Sequence, residues 1–189
     1  MSDEEAEFEA LFRDTRAPLL AYLTRRAPSE DAADLLAEVY LVAWRRRADL
    51  PRGEERRLWL YGVARRLLAE HHRSSLRRVD VEGGTGEPDP SDGPREDDRR
   101  GEAVRRALET LSDLDRELIT LTTWDRLSPA DAARVVGITA GTARVRLHRA
   151  RGRLARHPHL QVLLENPEMR DAPAPATSGR AGLALASEA

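Results

Sequence analysis

The carboxyl-terminal half of the chain contains a pair of predicted helices whose residue types suit contact with DNA. Ser128 can N-cap the first helix, Gly137 can end it in a left-handed conformation, and Thr139 can cap the second helix. In a helix-turn-helix the second helix enters the major groove, where basic side chains contact bases and phosphates. The alternative is a solvated basic helix in an ordinary bundle. The second helix has no acidic residue and carries six arginines: Arg144, Arg146, Arg149, Arg151, Arg153 and Arg156.

A second pattern is a stripe of acidic residues on a helix predicted over residues 29–47. Asp31, Asp34 and Glu38 are three and four positions apart, so they share one helix face. Like charges on one face repel, and an arginine-rich partner surface would offset that cost. The stripe therefore predicts a basic docking partner, with a simple solvated face as the alternative.

A third pattern interleaves aromatic and basic residues on a helix predicted over residues 55–73. Trp59 and Tyr61 lie in the same segment as Arg65 and Arg66. Flat side chains stack on unpaired bases and arginines neutralise the backbone, so the segment suits single-stranded DNA. The alternative is that Trp59 and Tyr61 pack against neighbouring helices.

No pattern indicates catalysis, a cofactor or a metal. The chain has no cysteine, which excludes disulfides and thiolate zinc sites within it, and its five histidines have no carboxylate at ligand spacing. The glycine-rich stretch 83–93 lacks the lysine of a phosphate-binding loop. We therefore expect a binding protein and not an enzyme.

The amino-acid composition narrows the class of protein further. Aromatic residues make up 4% and charged residues 34% of the chain, which predicts a small aliphatic core and helices. The net charge is −2, but the arginines concentrate in two segments while acids dominate elsewhere, so the average hides basic surfaces. There is no long apolar run, and the amino terminus is too acidic for a signal peptide. These features predict a cytoplasmic protein without membrane insertion.

The elements that must position these residues form an all-α fold of two small helical domains. Apolar residues recur at helical spacing in both, and Pro18 is expected to kink or divide the first helix. A segment rich in Gly, Pro and Asp separates the two domains and predicts a flexible acidic linker. The predicted ranges are 5–75 for the first domain, 76–101 for the linker, 102–164 for the helix-turn-helix domain and 165–189 for a disordered tail.

Helical periodicity also predicts which side chains are buried. On the helix over residues 29–47 the buried side comprises Leu35, Leu36, Val39, Val42 and Ala43. On the helix over residues 55–73 it comprises Leu60, Val63, Ala64 and Leu67. The helix-turn-helix is expected to pack through Ala133, Val136, Ile138, Ala143 and Leu147.

Together the segments resemble a known family, the bacterial RNA polymerase sigma factors. DAADLLAEVYLVAWRRR is similar to their region 2.2, and RLWLYGVARRLLAEHHRS is similar to regions 2.3 and 2.4. The stretch ALETLSDLDRELITLTTWDRLSPADAARVVGITAGTARVRLHRARGRL is similar to region 4. The order is that of the family and no region 3 lies between them, an architecture that resembles the extracytoplasmic-function (ECF) group of the sigma-70 family.

The resemblance implies roles for the three patterns. Asp31, Asp34 and Glu38 match positions that dock on the clamp helices of the polymerase β′ subunit. The loop 48–55 matches the one that shapes a pocket for a flipped −10 base. The separated −10 strand would be held by Trp59, Tyr61, Arg65 and Arg66, and the −35 element would be read by Thr142, Arg144, Arg146 and Arg149.

The chain also departs from the family pattern. A typical member has asparagine at the position of Arg66, a larger aliphatic residue at Ala143 and a small polar residue at Val145. Val145 could contact a thymine methyl group. We therefore expect both promoter elements to differ in sequence from those of other members.

The resemblance implies a transcription initiation factor that binds core RNA polymerase and directs it to −10 and −35 promoter elements. The implied partners are core RNA polymerase (β′ clamp helices and β flap), promoter DNA and an anti-sigma factor. Two other functions stay open: a helix-turn-helix regulator that acts without polymerase, and a protein-interaction adaptor. The acidic linker, at 79–100, could also fold back on the arginine-rich helices.

Overall fold

The computed structural model describes residues 3–82 and 96–165. Within these ranges all regular structure is helical, which confirms the predicted all-α fold. The helices are α1 (Asp3–Thr24), α2 (Ser29–Arg45), α3 (Glu54–Glu82), α4 (Glu96–Glu109), α5 (Asp113–Thr123), α6 (Pro129–Val136), α7 (Ala140–Ala155) and α8 (Pro158–Glu165), with one 3-10 turn at Arg47–Asp49.

Helix α1 is one continuous helix that contains Pro18. Of the two expected effects of Pro18, division of the segment is excluded, and a kink stays a prediction. Leu19, Tyr22 and Leu23, which follow the proline, are all fully buried. Their packing against the other helices outweighs the backbone hydrogen bond that proline cannot donate.

The core of the first compact unit lies between α1, α2 and α3. The structure buries most of the predicted residues, among them Leu35, Val39 and Ala43 on α2. Leu36 and Val42 are half-buried, because the buried face of α2 is centred on Ala32, Leu35, Val39, Tyr40 and Ala43. On α3, Leu60, Val63 and Ala64 are buried as predicted, whereas Leu67 is half-buried and Leu68 takes the core position.

The chain forms two compact units that do not follow its order. The first unit comprises α1–α3 together with α5–α7, and the second comprises α4 and α8. Within the first unit α6 packs on α3. Within the second unit α4 and α8 pack on each other. The division into functional domains at 5–75 and 102–164 stays a prediction from the sequence.

The two ends of the predicted linker are helical. Helix α3 continues to Glu82, and α4 begins at Glu96, so both ends of the predicted linker 76–101 are helical, and the linker's flexibility stays a prediction. Residues 76–82 contain neither glycine nor proline, and the first helix-breaking residue is Gly83. Residues 83–95 of the linker and 166–189 of the predicted tail lie outside the described residues.

Candidate nucleic-acid interface

The turn between α6 and α7 has the predicted helix-turn-helix caps. The Ser128 hydroxyl accepts a hydrogen bond from the Asp131 backbone N–H at 3.1 Å, and the Thr139 hydroxyl accepts one from the Thr142 N–H at 3.2 Å. Gly137 ends α6 in the left-handed region at φ 80°. These three residues satisfy otherwise unpaired backbone groups and fix the angle at which the chain enters α7.

Small and branched aliphatic side chains hold the two helices of this motif. Ala133, Ala143 and Leu147 are buried, as predicted from their spacing. Val136 and Ile138 are only half-buried, and the neighbouring Val135 is buried instead. Burial of these residues turns the opposite face of α7 outward.

The outward face of α7 carries most of the predicted DNA-contacting residues. Thr142, Arg144 and Arg149 are exposed. Arg146 differs, because its guanidinium donates a 2.9 Å hydrogen bond to the buried carboxylate of Asp115 at the start of α5. Arg146 thus fastens α7 to α5, and 40% of its side chain is still exposed.

The acidic stripe on α2 separates into two kinds of residue. Asp34 and Glu38 are exposed, as a docking surface requires. Asp31 lies 3.3 Å from the imidazole of His71 on α3, measured between Oδ2 and Nε2. The next residue along the stripe, Leu41, is an exposed aliphatic side chain with 46% relative exposure. The stripe therefore combines two accessible carboxylates with one apolar contact.

The aromatic residues of α3 are less accessible than the sequence suggested. Tyr61 is fully buried, and its ring packs edge-on against Tyr22 at 5.2 Å between centroids. Burial raises the pKa of the Tyr61 hydroxyl. Trp59 and Arg65 are half-buried and Arg66 is exposed. In this conformation Tyr61 cannot stack on a base, so the packing alternative holds for that residue.

The loop 48–55 before α3 is shaped by backbone conformation and by one arginine. Gly53 adopts a positive φ of 61°, which glycine tolerates without strain. The Arg56 side chain donates a 2.9 Å hydrogen bond to the Pro51 carbonyl across the loop. Glu55 lies 3.6 Å from Arg134 of α6. The loop predicted to shape a base pocket thus has a neighbour on the helix-turn-helix.

Sequence reasoning missed a cluster of polar residues that joins α1 to α5 and to the turn after α5. We call it the Arg26 cluster. Its partners are separated by 91 to 100 positions, so no local spacing signals it. Its members are Tyr22, Arg25, Arg26, Glu117, Thr120 and Asp125.

Among the described residues no helix is both long and apolar enough to cross a bilayer. Over the same part of the chain, no three histidine, aspartate or glutamate side chains converge as metal ligands.

Comparison with known proteins shows which family this chain resembles. The family model for sigma-70 region 4 matches residues 101–154, which include the helix-turn-helix. The ECF RNA polymerase sigma factor SigC of Mycobacterium tuberculosis is 33% identical over 153 residues, which cover 77% of this chain and 80% of the relative. The ECF RNA polymerase sigma factor BldN of Streptomyces coelicolor is 33% identical over 132 residues, and the match spans 50% of that longer relative.

Solved structures show the same helical arrangement. The sigma factor RpoE from Bartonella quintana, solved in complex with the anti-sigma factor NepR, superposes with a TM-score of 0.63 at 25% identity over 82% of this chain and 98% of that one. CnrH, solved with the cytosolic domain of CnrY, shares the fold with a TM-score of 0.57 at 20% identity over 86% of this chain and 91% of that one. The region 4 match, the extent of the similarity to SigC and the capped helix-turn-helix agree, and the chain belongs to the ECF RNA polymerase sigma factors.

Proposed function

We propose that this protein directs core RNA polymerase to promoters through two surfaces, one on α2 and α3 and the other on α7. The observation that carries the proposal is the outward face of α7, an arginine-rich helix that follows the capped turn after α6. The similarity to SigC over most of both chains supports the proposal that the protein acts together with polymerase.

On α7 we assign base reading to the amino-terminal residues Thr142 and Arg144. Recognition helices insert their amino-terminal end most deeply into the major groove. Arg149, about one and a half turns beyond Arg144, is placed to contact phosphate. We assign Arg146 a smaller part in DNA binding. Its pairing with Asp115 holds α7 against α5, and only the exposed part of its side chain can reach DNA.

On α2 we assign core polymerase binding to Asp34 and Glu38, with Asp31 beside them and Leu41 as an added apolar contact. Two exposed carboxylates suit the arginine-rich surface that region 2.2 is expected to meet on the β′ clamp helices, and the β flap is the expected second contact. On α3 the −10 strand would meet Trp59, Arg65 and Arg66, and Tyr61 would join them only after a change of conformation.

Two further properties follow from family membership. Relatives of this chain have been solved with anti-sigma factors, as for RpoE with NepR, and we propose that an anti-sigma factor also controls this protein. We further propose that it acts in the cytoplasm, where the polymerase is. The polymerase supplies the chemistry, and this chain supplies specificity without being an enzyme.

Run-off transcription tests the proposal directly. Core polymerase on fragmented genomic DNA should give discrete transcripts only when this chain is added, and Arg144→Ala should reduce them. Core alone is the control. If the chain instead retards DNA fragments without core and leaves transcription by core unchanged, it is a helix-turn-helix regulator that acts without polymerase.

A further inference from the structure

Helix α7 exposes one large apolar side chain among its arginines. Val145 has 51% relative exposure, and it stands between Arg144 and Arg146 in the sequence. The structure describes α7 over its full length, and on this helix Leu147 is buried and Leu154 is half-buried. Val145 is therefore the one aliphatic side chain larger than alanine that α7 presents to its surroundings.

Val145 lies near the middle of the outward face of α7. The buried residues of this helix are Ala143, Leu147 and Ala150. Each residue of an α-helix turns the chain by about 100°, which places position 145 almost opposite that buried face. Gly141, one turn earlier on the outward face, has no side chain that could cover the valine. Val145 is thus open to any surface that the outward face of α7 meets.

The fold itself gives no reason for a valine at this position. A β-branched side chain loses rotamer freedom in a helix, and an exposed apolar side chain gains little from the hydrophobic effect. Alanine or a long polar side chain would favour the helix more. A residue that departs from such local preferences at an exposed position is a candidate for a role in binding.

Two polar neighbours of Val145 on α7 are held by contacts inside the chain. Arg146 donates its hydrogen bond to Asp115. The Thr142 hydroxyl lies 2.9 Å from the hydroxyl of Thr139, the residue that caps this helix. Val145 has no hydrogen-bonding group in its side chain, so no polar contact of this kind competes for it. Its exposed surface is therefore available to DNA without the loss of an internal contact.

The chemistry of the major groove identifies what an exposed valine would recognise there. Most groups that the base pairs present in this groove are hydrogen-bond donors and acceptors, and the C5-methyl group of thymine is apolar. A valine packed against that methyl group removes water from both, which favours binding. The surrounding arginines attract the phosphates and so bring the helix to the groove. An apolar side chain in this setting suits thymine better than the other bases.

We propose that Val145 is a specificity-determining residue that selects thymine at one position of the −35 element through the C5-methyl group. The identity of the DNA element rests on the proposed function, whereas the contact itself requires only that α7 enters the major groove. Burial of a single methyl group corresponds to a change in affinity of about fourfold, which is the expected size of the preference.

Replacement of thymine by uracil tests this contact. Deoxyuridine pairs with adenine as thymidine does and lacks only the methyl group. In promoter fragments found by run-off transcription, each thymine of the −35 element is replaced singly on either strand. Holoenzyme with the unmutated chain should lose about fourfold in affinity at one position and little at the others. With Val145→Ser this loss should disappear, because serine has no methyl group to pack against thymine.

A matched control and a milder variant accompany this substitution. Val162→Ser makes the same change at an exposed valine of α8, outside the recognition helix, and should keep the fourfold loss. Val145→Ala guards against a folding defect, because alanine favours a helix and keeps part of the apolar surface. Its loss on uracil replacement should be about twofold. Helix content by circular dichroism should be the same in all three variants.

The possible outcomes separate this contact from the proposed function. The contact is overturned if uracil replacement affects the unmutated chain and both Val145 variants equally, or if no thymine of the −35 element is sensitive to it. Sensitivity that depends on Val145 when the chain binds DNA alone, without transcription by core polymerase, would keep the contact and refute the proposed function. Promoter-directed transcription with affinities that uracil never changes would do the reverse. No DNA binding with or without core polymerase would refute both.

Discussion

At the scale of single residues, tertiary partners change what a side chain can do. Arg146 and Arg149 lie on the same helix and look equivalent in the sequence, yet only Arg146 is bound by the buried Asp115. Asp31 similarly lies 3.3 Å from the imidazole of His71, while Asp34 and Glu38 stay exposed. A contact of Arg146 with DNA, or of Asp31 with polymerase, would therefore compete with a pairing inside this chain.

Arg126 offers a test of backbone strain. It is a non-glycine residue at a positive φ of 54° in the turn before α6. That conformation costs a residue with a Cβ atom about 1 kcal/mol. We expect Arg126→Gly to be more stable than Arg126→Ala by about 1 kcal/mol in urea denaturation, because both remove the same side chain and only glycine relieves the strain. Equal stability of the two variants would argue against a strained turn.

The buried carboxylate of Asp125 predicts a dependence of stability on pH. Its pKa is raised in the folded chain, so the folded state holds the proton more tightly than the unfolded state does, and stability falls as pH rises through this range. Asn cannot ionise. The stability of Asp125→Asn relative to the unmutated chain should therefore increase between about pH 3 and pH 7.

Thermal denaturation across that range measures the effect. Asp113→Asn is the control, because it makes the same substitution at a fully exposed carboxylate. A difference for Asp125→Asn that is flat, or that decreases with pH, would show that Arg25 and Arg26 lower the pKa of Asp125 at least as much as burial raises it.

At the scale of elements, the geometry of the helix-turn-helix depends on one glycine in the turn, Gly137. Gly137 and Gly141 are four residues apart but serve different roles. Gly137 is left-handed at φ 80°, whereas Gly141 lies in the first turn of α7, where an added Cβ would meet Thr139 Oγ1 at an ordinary 4.0 Å. The same substitution should have opposite effects at the two positions.

Gly137→Ala should lower the free energy of unfolding by about 1 kcal/mol or more, because alanine is strained in the left-handed region. Gly141→Ala should raise it by up to about 1 kcal/mol, because alanine favours a helix. Chemical denaturation of both variants measures the difference. A stabilising Gly137→Ala would show that α6 does not end in this turn.

The recognition helix gives a second prediction at this scale. Arg144→Ala should lose about 1–3 kcal/mol of discrimination at one base pair of the −35 element. Arg149→Ala should weaken all sequences alike and reduce the salt slope by about one. Titrations of holoenzyme on a −35 mutant series at several salt concentrations separate the two effects. Equal weakening of every sequence by Arg144→Ala would exclude base reading.

At the scale of the whole molecule, the charges are segregated although their sum is only −2. Acidic side chains lie outward on α2, and arginines lie outward on α7. Opposite charges also pair inside the molecule. In the Arg26 cluster, arginines that follow α1 bind carboxylates of α5 and of the turn after it. One protein can thereby present an acidic surface to polymerase and a basic one to DNA.

Charge reversal on α2 tests the polymerase surface. Asp34→Arg with Glu38→Arg should weaken core binding by at least about tenfold, since like charges placed together at an interface cost several kcal/mol. Asp14→Arg with Glu109→Arg changes the net charge equally at exposed positions outside α2. Affinity for core polymerase should be unchanged in that control. Unchanged affinity in the α2 variant, with normal helix content, would rule out this docking surface.

The sequence alone determined the helices, their caps and the family. Ser128, Gly137 and Thr139 act on backbone groups within a few positions of themselves, so a short stretch of residues is enough to predict the turn. The acidic stripe was likewise visible, because helical spacing alone places Asp34 and Glu38 on one face. These features are local, and their physical causes are local too.

Tertiary structure decided which of the predicted residues are accessible. Tyr61 was expected to meet DNA and is buried on Tyr22. Pro18 was expected to kink or divide its segment, and the segment forms one helix. The Arg26 cluster joins residues about a hundred positions apart, as in the pair of Arg25 and Asp125. Such contacts depend on how helices pack in space, and periodicity along the chain carries no information about the partner that a distant helix supplies.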